Sequence, residues 1–244
     1  MSRSILITGA TRGLGAALAK QFAARGYRVA ITGRKAEELD ALAAQLSVQA
    51  AQVCSRVLDV TDYHSIAGVL EDCARELDGL DIVVANAGVG FATPVGEGHF
   101  EQLKMTIDVN FTAAMATCEA AVELFRRQGR GQIVGITSVA KVRSLRTQGV
   151  YSASKAGFAR YLEGVRLETL GEPIVVTELA PGYIDTDLNR AVKKRPFLVS
   201  AEKGTGIMAD LIERHVAFRY VPPLPWTFMA TLMRLLPLSV LRAM

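Results

Sequence analysis

The sequence predicts an α/β protein built on one parallel sheet with helices on both faces. Short β-branched apolar runs alternate along the chain with longer stretches whose apolar residues recur at helical spacing. The runs are continuously apolar, as strands buried on both faces are, rather than alternating. Size agrees: 244 residues, half of them apolar and 21% charged, suit one α/β domain.

The elements follow in order. A first apolar run, 5–7, leads through Thr8-Gly9-Ala10-Thr11-Arg12-Gly13-Leu14-Gly15 into a helical pattern over 13–25. The run 27–32 precedes a helix at 36–46, and the run 53–60 precedes one at 65–77. Residues 80–85 form the fourth run, followed by Asn86-Ala87-Gly88 and a long helical stretch over 100–127. The run 132–137 leads to a helix at 151–170, and 174–179 is the sixth run. No repeat and no low-complexity linker divides the chain, so residues 1–222 read as one domain.

Residues 223–244 differ, forming an apolar C-terminal extension in which only Arg234 and Arg242 are charged. Thr227, Thr231, Arg234 and Arg242 follow one helical stripe, interrupted by Leu238, which leaves a broad apolar face. Three readings are open: a helix packed on its own domain or a second subunit, an interfacial membrane helix, or a lid over an apolar substrate. Arg234 and Pro237 break the run short of the ~20 apolar residues that a membrane span needs.

Composition narrows the function classes. The net charge of +4 is slight and the basic residues are scattered, with local clusters at 141–146 and 193–195, so a nucleic-acid partner is not expected. Cys54, Cys73 and Cys118 make no close-spaced pair in sequence and sit in apolar-periodic segments. They read as small buried hydrophobes in a reducing, cytoplasmic compartment. No metal is expected either, since His64, His99 and His215 are isolated. The amino-terminal apolar stretch is too short for a signal peptide.

A glycine turn between a strand and a helix is a dinucleotide pyrophosphate site, because helix N-terminal N–H groups are unpaired and the dipole favours an anion. Gly9 would make the turn, Gly13 would admit phosphate to the backbone, and Gly15 would let helix and sheet pack closely. The absence of a Gly-Lys-Ser/Thr ending argues against an NTPase. At the tip of the second run, Thr32-Gly33-Arg34-Lys35, no acid stands where one would take a ribose 2′-hydroxyl. Arg34, with Arg12 in reach, suits a 2′-phosphate, so NADP(H) is the expected cofactor; a solvated Arg34 is the alternative.

Tyr151 and Lys155, four apart at the start of a helical pattern, share a helix face. An ammonium beside a phenol stabilises the phenolate and brings its pKa down towards the range useful for proton exchange. Ser138 ends the fifth run, at the sheet edge where ligands bind. Its hydroxyl can donate to a substrate oxygen as charge develops there.

In this combination the chain resembles a short-chain dehydrogenase/reductase. The glycine turn, Ala85-Asn86-Ala87-Gly88, Asn110, Ser138, Tyr151 with Lys155, and Pro181-Gly182 occur in that family's order over about residues 4–220. The resemblance implies a Rossmann-like sheet of about seven strands, a homodimer or homotetramer, and hydride transfer between NADP(H) and a small carbonyl or secondary alcohol. It implies Tyr151 as general acid/base, Lys155 on the nicotinamide ribose, Ser138 on the substrate oxygen, and Asn110 anchoring a water; Asn110 as a helix-to-strand bridge is the other reading. For the cofactor it implies Gly9, Thr11, Arg12, Gly13, Leu14 and Gly15 around the pyrophosphate, and Arg34 at the 2′ position. Asp59 and Val60 would lie at the adenine, with an N-cap as the alternative for Asp59. Asn86, Ala87 and Gly88 would lie near the adenosine side, and Pro181, Gly182, Ile184 and Thr186 at the nicotinamide.

The family often has Asn where Ala85 stands and Gly near Ala140-Lys141; neither change removes a reacting group. Substrate choice would rest on 89–99, 139–150 and 183–196, with Phe91, Leu145, Tyr183 and Phe197 as candidate walls. Lys141, Arg143, Arg146, Arg190, Lys193, Lys194 and Arg195 in those stretches read as solvated charge or as an attraction for an acidic substrate. The apolar tail favours a hydrophobic ketone or acyl-type substrate acted on by a reductase. A non-catalytic NADPH-binding or membrane-surface protein of the same fold is the competing class.

Overall fold

A computed structural model describes residues 2–190, 192 and 194–243, with side chains as far as Leu241 in the last helix. Lys193 of the basic cluster and the Arg242 side chain of the polar stripe lie outside the described residues.

Seven described strands form one parallel sheet: β1 (Ser4–Ile7), β2 (Arg28–Gly33), β3 (Gln52–Val57), β4 (Ile82–Ala85), β5 (Gly131–Ile136), β6 (Ile174–Pro181) and β7 (Phe218–Val221). Their order across the sheet is β3-β2-β1-β4-β5-β6-β7, so the direction of winding reverses between β1 and β4. Side-chain alternation divides the core in two. Ile5 and Ile7 face α1 (Gly13–Ala24), α2 (Ala36–Leu46) and α7 (Ala201–Glu213), where Leu18, Phe22, Leu39 and Met208 complete one layer. Leu6 faces the other way, towards α3 (Tyr63–Glu76), α5 (Ala113–Gln128) and α6 (Gly149–Glu168), where Ile66, Phe125, Phe158 and Leu162 form the second layer.

Several expected boundaries change. The third run does not continue to Val60: β3 ends at Val57, because it is the half-exposed edge strand and the chain leaves the sheet there towards Asp59. The fourth strand starts at Ile82, not residue 80; the Leu80 backbone is instead held by the Gln128 side chain, which accepts from its N–H at 3.0 Å and donates to its carbonyl at 2.8 Å. The long stretch 100–127 is not one α-helix: α4 (Phe100–Ile107) passes into a π-helical turn, Asp108–Thr112, before α5 begins. A π turn carries an extra residue, which re-aims the side chains beyond it. Strand β7, Phe-Arg-Tyr-Val, escaped the sequence reading because its polar second residue breaks the apolar run that marked the others.

The extension folds as α8 (Pro223–Leu235) and α9 (Leu238–Ala243), separated at Leu236-Pro237. Trp226 and Ala230 pack with Ala180 and Tyr220 in a third, smaller core, so the extension lies on its own domain. The cysteines are free and buried as expected, but Cys54 and Cys73, distant in sequence, bring their sulfurs within 3.5 Å between β3 and α3.

Phe22 carries much of the first layer: it is fully buried and meets Tyr27 edge-on at 4.8 Å between centroids. Phe22→Ala is expected to destabilise the fold by about 3–5 kcal/mol in urea denaturation, the cost of a large buried aromatic replaced by a cavity.

Candidate active site

The carboxyl ends of β1, β4, β5 and β6 share one edge of the sheet, beside the reversal in strand order, and the singled-out residues follow those ends. After β1 the chain turns at Gly9, whose positive φ suits glycine. A methyl at Gly9 would stand 2.8 Å from the Ala87 Cα, and one at Gly15 would stand 2.5 Å from the Gly9 carbonyl oxygen. Both glycines are therefore demanded by backbone packing. Gly13 differs: its φ is +58°, and a methyl there would meet only the Thr186 Cβ, at 3.7 Å, so this turn has room above it. Asn86 ties the turn to β4 by donating its amide to the carbonyls of Thr8 at 2.8 Å and Gly9 at 3.2 Å. Ala87 supports the same junction through its N–H on the Thr8 hydroxyl. Asn86 thus shapes the turn from beneath.

The N-terminus of α1 has neither a side-chain cap nor an acid in its first turn. Its N–H groups and dipole suit an anion, and the exposed Arg12 and Arg34 flank it. A carboxylate that the sequence reading passed over enters this corner. Glu38 accepts from Lys35 at 2.8 Å, and that bond, with Thr11 and Arg12 nearby, holds its carboxyl below the usual range. The three-residue spacing of Lys35 and Glu38 in the first turn of α2 was the signal available. Asp59 does not cap α3; Asp62 occupies that position. Asp59 instead accepts from the Thr61 N–H and hydroxyl, which, with Arg34 nearby, keeps it ionised below its ordinary pKa. Val60 and Ile184 are buried, Ile184 within the first core layer, and Leu14 packs against that layer.

Ser138 follows β5 and caps the short turn Val139–Lys141, accepting from the Ala140 N–H at 3.1 Å. Its O–H is left to act on Tyr151, where it favours the phenolate. Tyr151 and Lys155 sit on the first two turns of α6. The Lys155 ammonium is 5% exposed and donates to the Ile136 carbonyl at 2.9 Å. Asn110, on the π turn, is fully buried; its amide accepts from the Val89 N–H and donates to the Val89 carbonyl, both at 2.8 Å, and reaches the Ser154 hydroxyl at 3.3 Å. Asn110 thus joins the π turn to the loop after β4. Gly88 lies where these groups meet, since a methyl there would be 3.3 Å from the Asn110 Oδ1 and 3.6 Å from the Lys155 Nζ. Gly90 passes the phenol ring, its notional methyl 3.7 Å from two Tyr151 ring carbons.

Tyr151 stands above its ordinary pKa in the protein alone, because burial strips water from the phenolate; Ser138 opposes this, and the nearby Tyr183 adds to it. Lys155 does not offset the burial, being itself stripped of water and lowered to about 8.

Of the expected walls, Leu145 lines a cleft with Thr93, Pro94 and Thr147, apart from Tyr183 and Phe197. Those two meet Trp226, at 6.0 and 5.7 Å between ring centroids. Trp226 also lies against Gly182, leaving no room for a side chain there. Lys141 is not a solvated loop charge: it is paired with the buried Glu178, which accepts from Thr137 at 2.7 Å, and lies 4.2 Å from the centre of the Phe218 ring.

A nicotinamide dinucleotide fits this donor set. The bare helix end and the space over Gly13 suit the pyrophosphate. The dehydrated Lys155 ammonium makes, among the described residues, one hydrogen bond, which leaves donors for ribose hydroxyls.

A short chain dehydrogenase family model matches residues 3–196. An uncharacterized oxidoreductase of Mycobacterium tuberculosis is 36% identical over 238 residues, covering 96% of this chain and 94% of that protein. Another from Myxococcus xanthus is 35% identical over 213 residues, covering 87% and 84%. An alcohol dehydrogenase from the archaeon Thermococcus sibiricus, solved with 5-hydroxy-NADP, superposes with a TM-score of 0.81 at 25% identity, covering 91% of this chain and 95% of that one.

The lowered pKa of Lys155 sets a pH-dependent stability. Below pH 8 both the folded and unfolded lysine are charged and the burial penalty is complete; between about 8 and 10.5 the folded group releases its proton first and the penalty fades. Lys155→Met is expected to melt above the wild type near neutral pH, and thermal melts towards pH 10 should show the gap closing.

Proposed function

The chain belongs to the short-chain dehydrogenase family, and from that premise we propose that it is an NADP(H)-dependent reductase of ketones or aldehydes with Tyr151 as general acid/base. The observation that carries this reading is the convergence of Ser138, Tyr151 and Lys155 at the carboxyl edge of the sheet, beside a glycine turn with room for a pyrophosphate.

When bound, the nicotinamide supplies or accepts the hydride. The chain supplies placement and the proton. Ser138, its oxygen held by the Ala140 N–H, would turn its one O–H from Tyr151 to the reacting oxygen and favour developing negative charge there. Tyr151 gives its phenolic proton to that oxygen in reduction and takes it back in oxidation. Lys155, one turn along α6, would hold the nicotinamide ribose, and its ammonium favours the phenolate when charged. Asn110 would act by fixing Val89, and hence the Gly88–Gly90 loop against Tyr151 and Lys155.

Preference for NADP(H) rests on Arg12 and Arg34, exposed on either side of the glycine turn, and gains support from the NADP derivative bound by the archaeal neighbour. Glu38 does not oppose a 2′-phosphate strongly, because Lys35 already pairs with it. The aromatic group of Tyr183, Phe197 and Trp226 favours an apolar substrate.

Tyr151→Phe is expected to abolish turnover across a panel of carbonyl substrates while NADPH titration gives nearly the wild-type affinity. Retention of more than a few per cent of activity would remove the proton-transfer role. Arg34→Ala is expected to weaken NADPH binding by about tenfold, the value of one charge-assisted contact, with little effect on NADH. Equal wild-type affinities for the two cofactors would overturn the preference.

A further inference from the structure

The extension presents two unlike faces. Trp226, Ala230 and Met233 point inward and are buried. On the outer side of α8, Phe228, Leu232 and Leu235 are 67%, 38% and 79% exposed, and Leu224 before the helical turns and Leu238 after the break at Pro237 are each 76% exposed. Single exposed leucines are ordinary, but this many large exposed apolar side chains on one short segment mark a contact surface. The threonines beside them do not alter this, because Thr227 donates to the Pro223 carbonyl at 2.8 Å and Thr231 to the Thr227 carbonyl at 3.1 Å. Their hydroxyls carry no unmet donor into an apolar medium. Phe197, 47% exposed and packed on Trp226, places the loop after β6 beside the start of this segment.

Charge identifies the partner. Within the extension, 223–244, the charged residues are Arg234 and Arg242, both cationic, and there is no aspartate or glutamate. Arg234 is exposed on the outer side of α8, and Arg143 is drawn to the same end, donating to the Arg234 carbonyl at 3.2 Å. Glu178, near this end of the extension, is buried and already paired with Lys141. We infer that the outer face of 223–240 docks the protein on an anionic lipid surface, its apolar side chains entering the headgroup boundary and Arg234 and Arg143 meeting lipid phosphates. No helix among the described residues is long and apolar enough to cross a membrane, so the segment lies on the surface. A two-fold contact with a second copy fits less well. It would bring this cationic segment against itself, with no carboxylate on it to answer the charge.

The inference stands apart from the catalytic reading and is tested without an activity assay. The full-length protein is floated with vesicles of phosphatidylcholine alone and of phosphatidylcholine mixed with phosphatidylglycerol, at low and high salt. The wild type is expected to float with the mixed vesicles, with binding at least roughly tenfold weaker on phosphatidylcholine or at high salt. A variant carrying Phe228→Glu, Leu232→Glu and Leu235→Glu is expected to stay in solution with an unchanged melting temperature. Should that variant misfold, Arg234→Glu serves instead and is expected to lose the preference for anionic lipid. Wild-type protein left in solution with the mixed vesicles, or variants that float as well as the wild type, would overturn the inference. So would sedimentation showing a wild-type oligomer that the triple variant loses while neither protein binds vesicles, which would give the face to a second copy.

Discussion

The dehydrated ammonium of Lys155 is the interaction around which the site is arranged. A cation held out of water is costly unless it is hydrogen-bonded, and here one bond, to the Ile136 carbonyl at the end of β5, ties it to the sheet. That bond fixes α6 against the strand that delivers Ser138, so Tyr151, one turn earlier, faces the serine. Gly88 passes close to this ammonium and closer still to the Asn110 side chain, which holds the Val89 end of the same loop. The protein tolerates a poorly satisfied cation because the site needs donors that water has not already claimed. In return, the ammonium charge would act on a bound ligand in a medium that does not screen it.

Much of this was legible in the residues. The sheet was readable because six of its strands carry short β-branched apolar runs alternating with helical patterns, and the crevice followed because a parallel sheet brings its carboxyl ends to one edge. Ser138, Tyr151 and Lys155 could be named because a strand end and a four-residue spacing are local properties. What depended on long-range packing was not readable. The π turn at Asp108–Thr112 has no local apolar signature, so the aim of Asn110 was hidden inside an apparently continuous helix. The burial of Tyr151 was hidden because spacing shows a neighbour's charge but not the water that packing removes. Glu38 was not legible because it lies beyond the strand tip, on a helix whose first turn comes back towards Thr11 and Arg12 only in the fold.

Trp226, the chain's single tryptophan, shows how the extension enters the architecture of the site. Read along the sequence it belongs to an apolar tail; in the fold it fills the space above Gly182, at the start of the loop after β6. The glycine and the tryptophan are one feature, since the indole occupies the volume a side chain at 182 would need. Their contact joins a terminal helix to the loop bearing Tyr183 and Thr186, and Thr186 in turn approaches Gly13 across the mouth of the crevice.

The extension therefore has a reason to be apolar on its inner side, but that reason does not reach its outer side. A helix that served only to brace the Gly182 loop would be amphipathic, since polar residues outside cost nothing and favour solution. Here leucine and phenylalanine occupy the outer positions, the threonine hydroxyls are turned into the helix, and the charges are of one sign. Bracing accounts for Trp226, Ala230 and Met233 and leaves Phe228, Leu232 and Leu235 without a function. A second constraint on the same helix, contact with an apolar and anionic surface, accounts for both the residues and the sign of the charge.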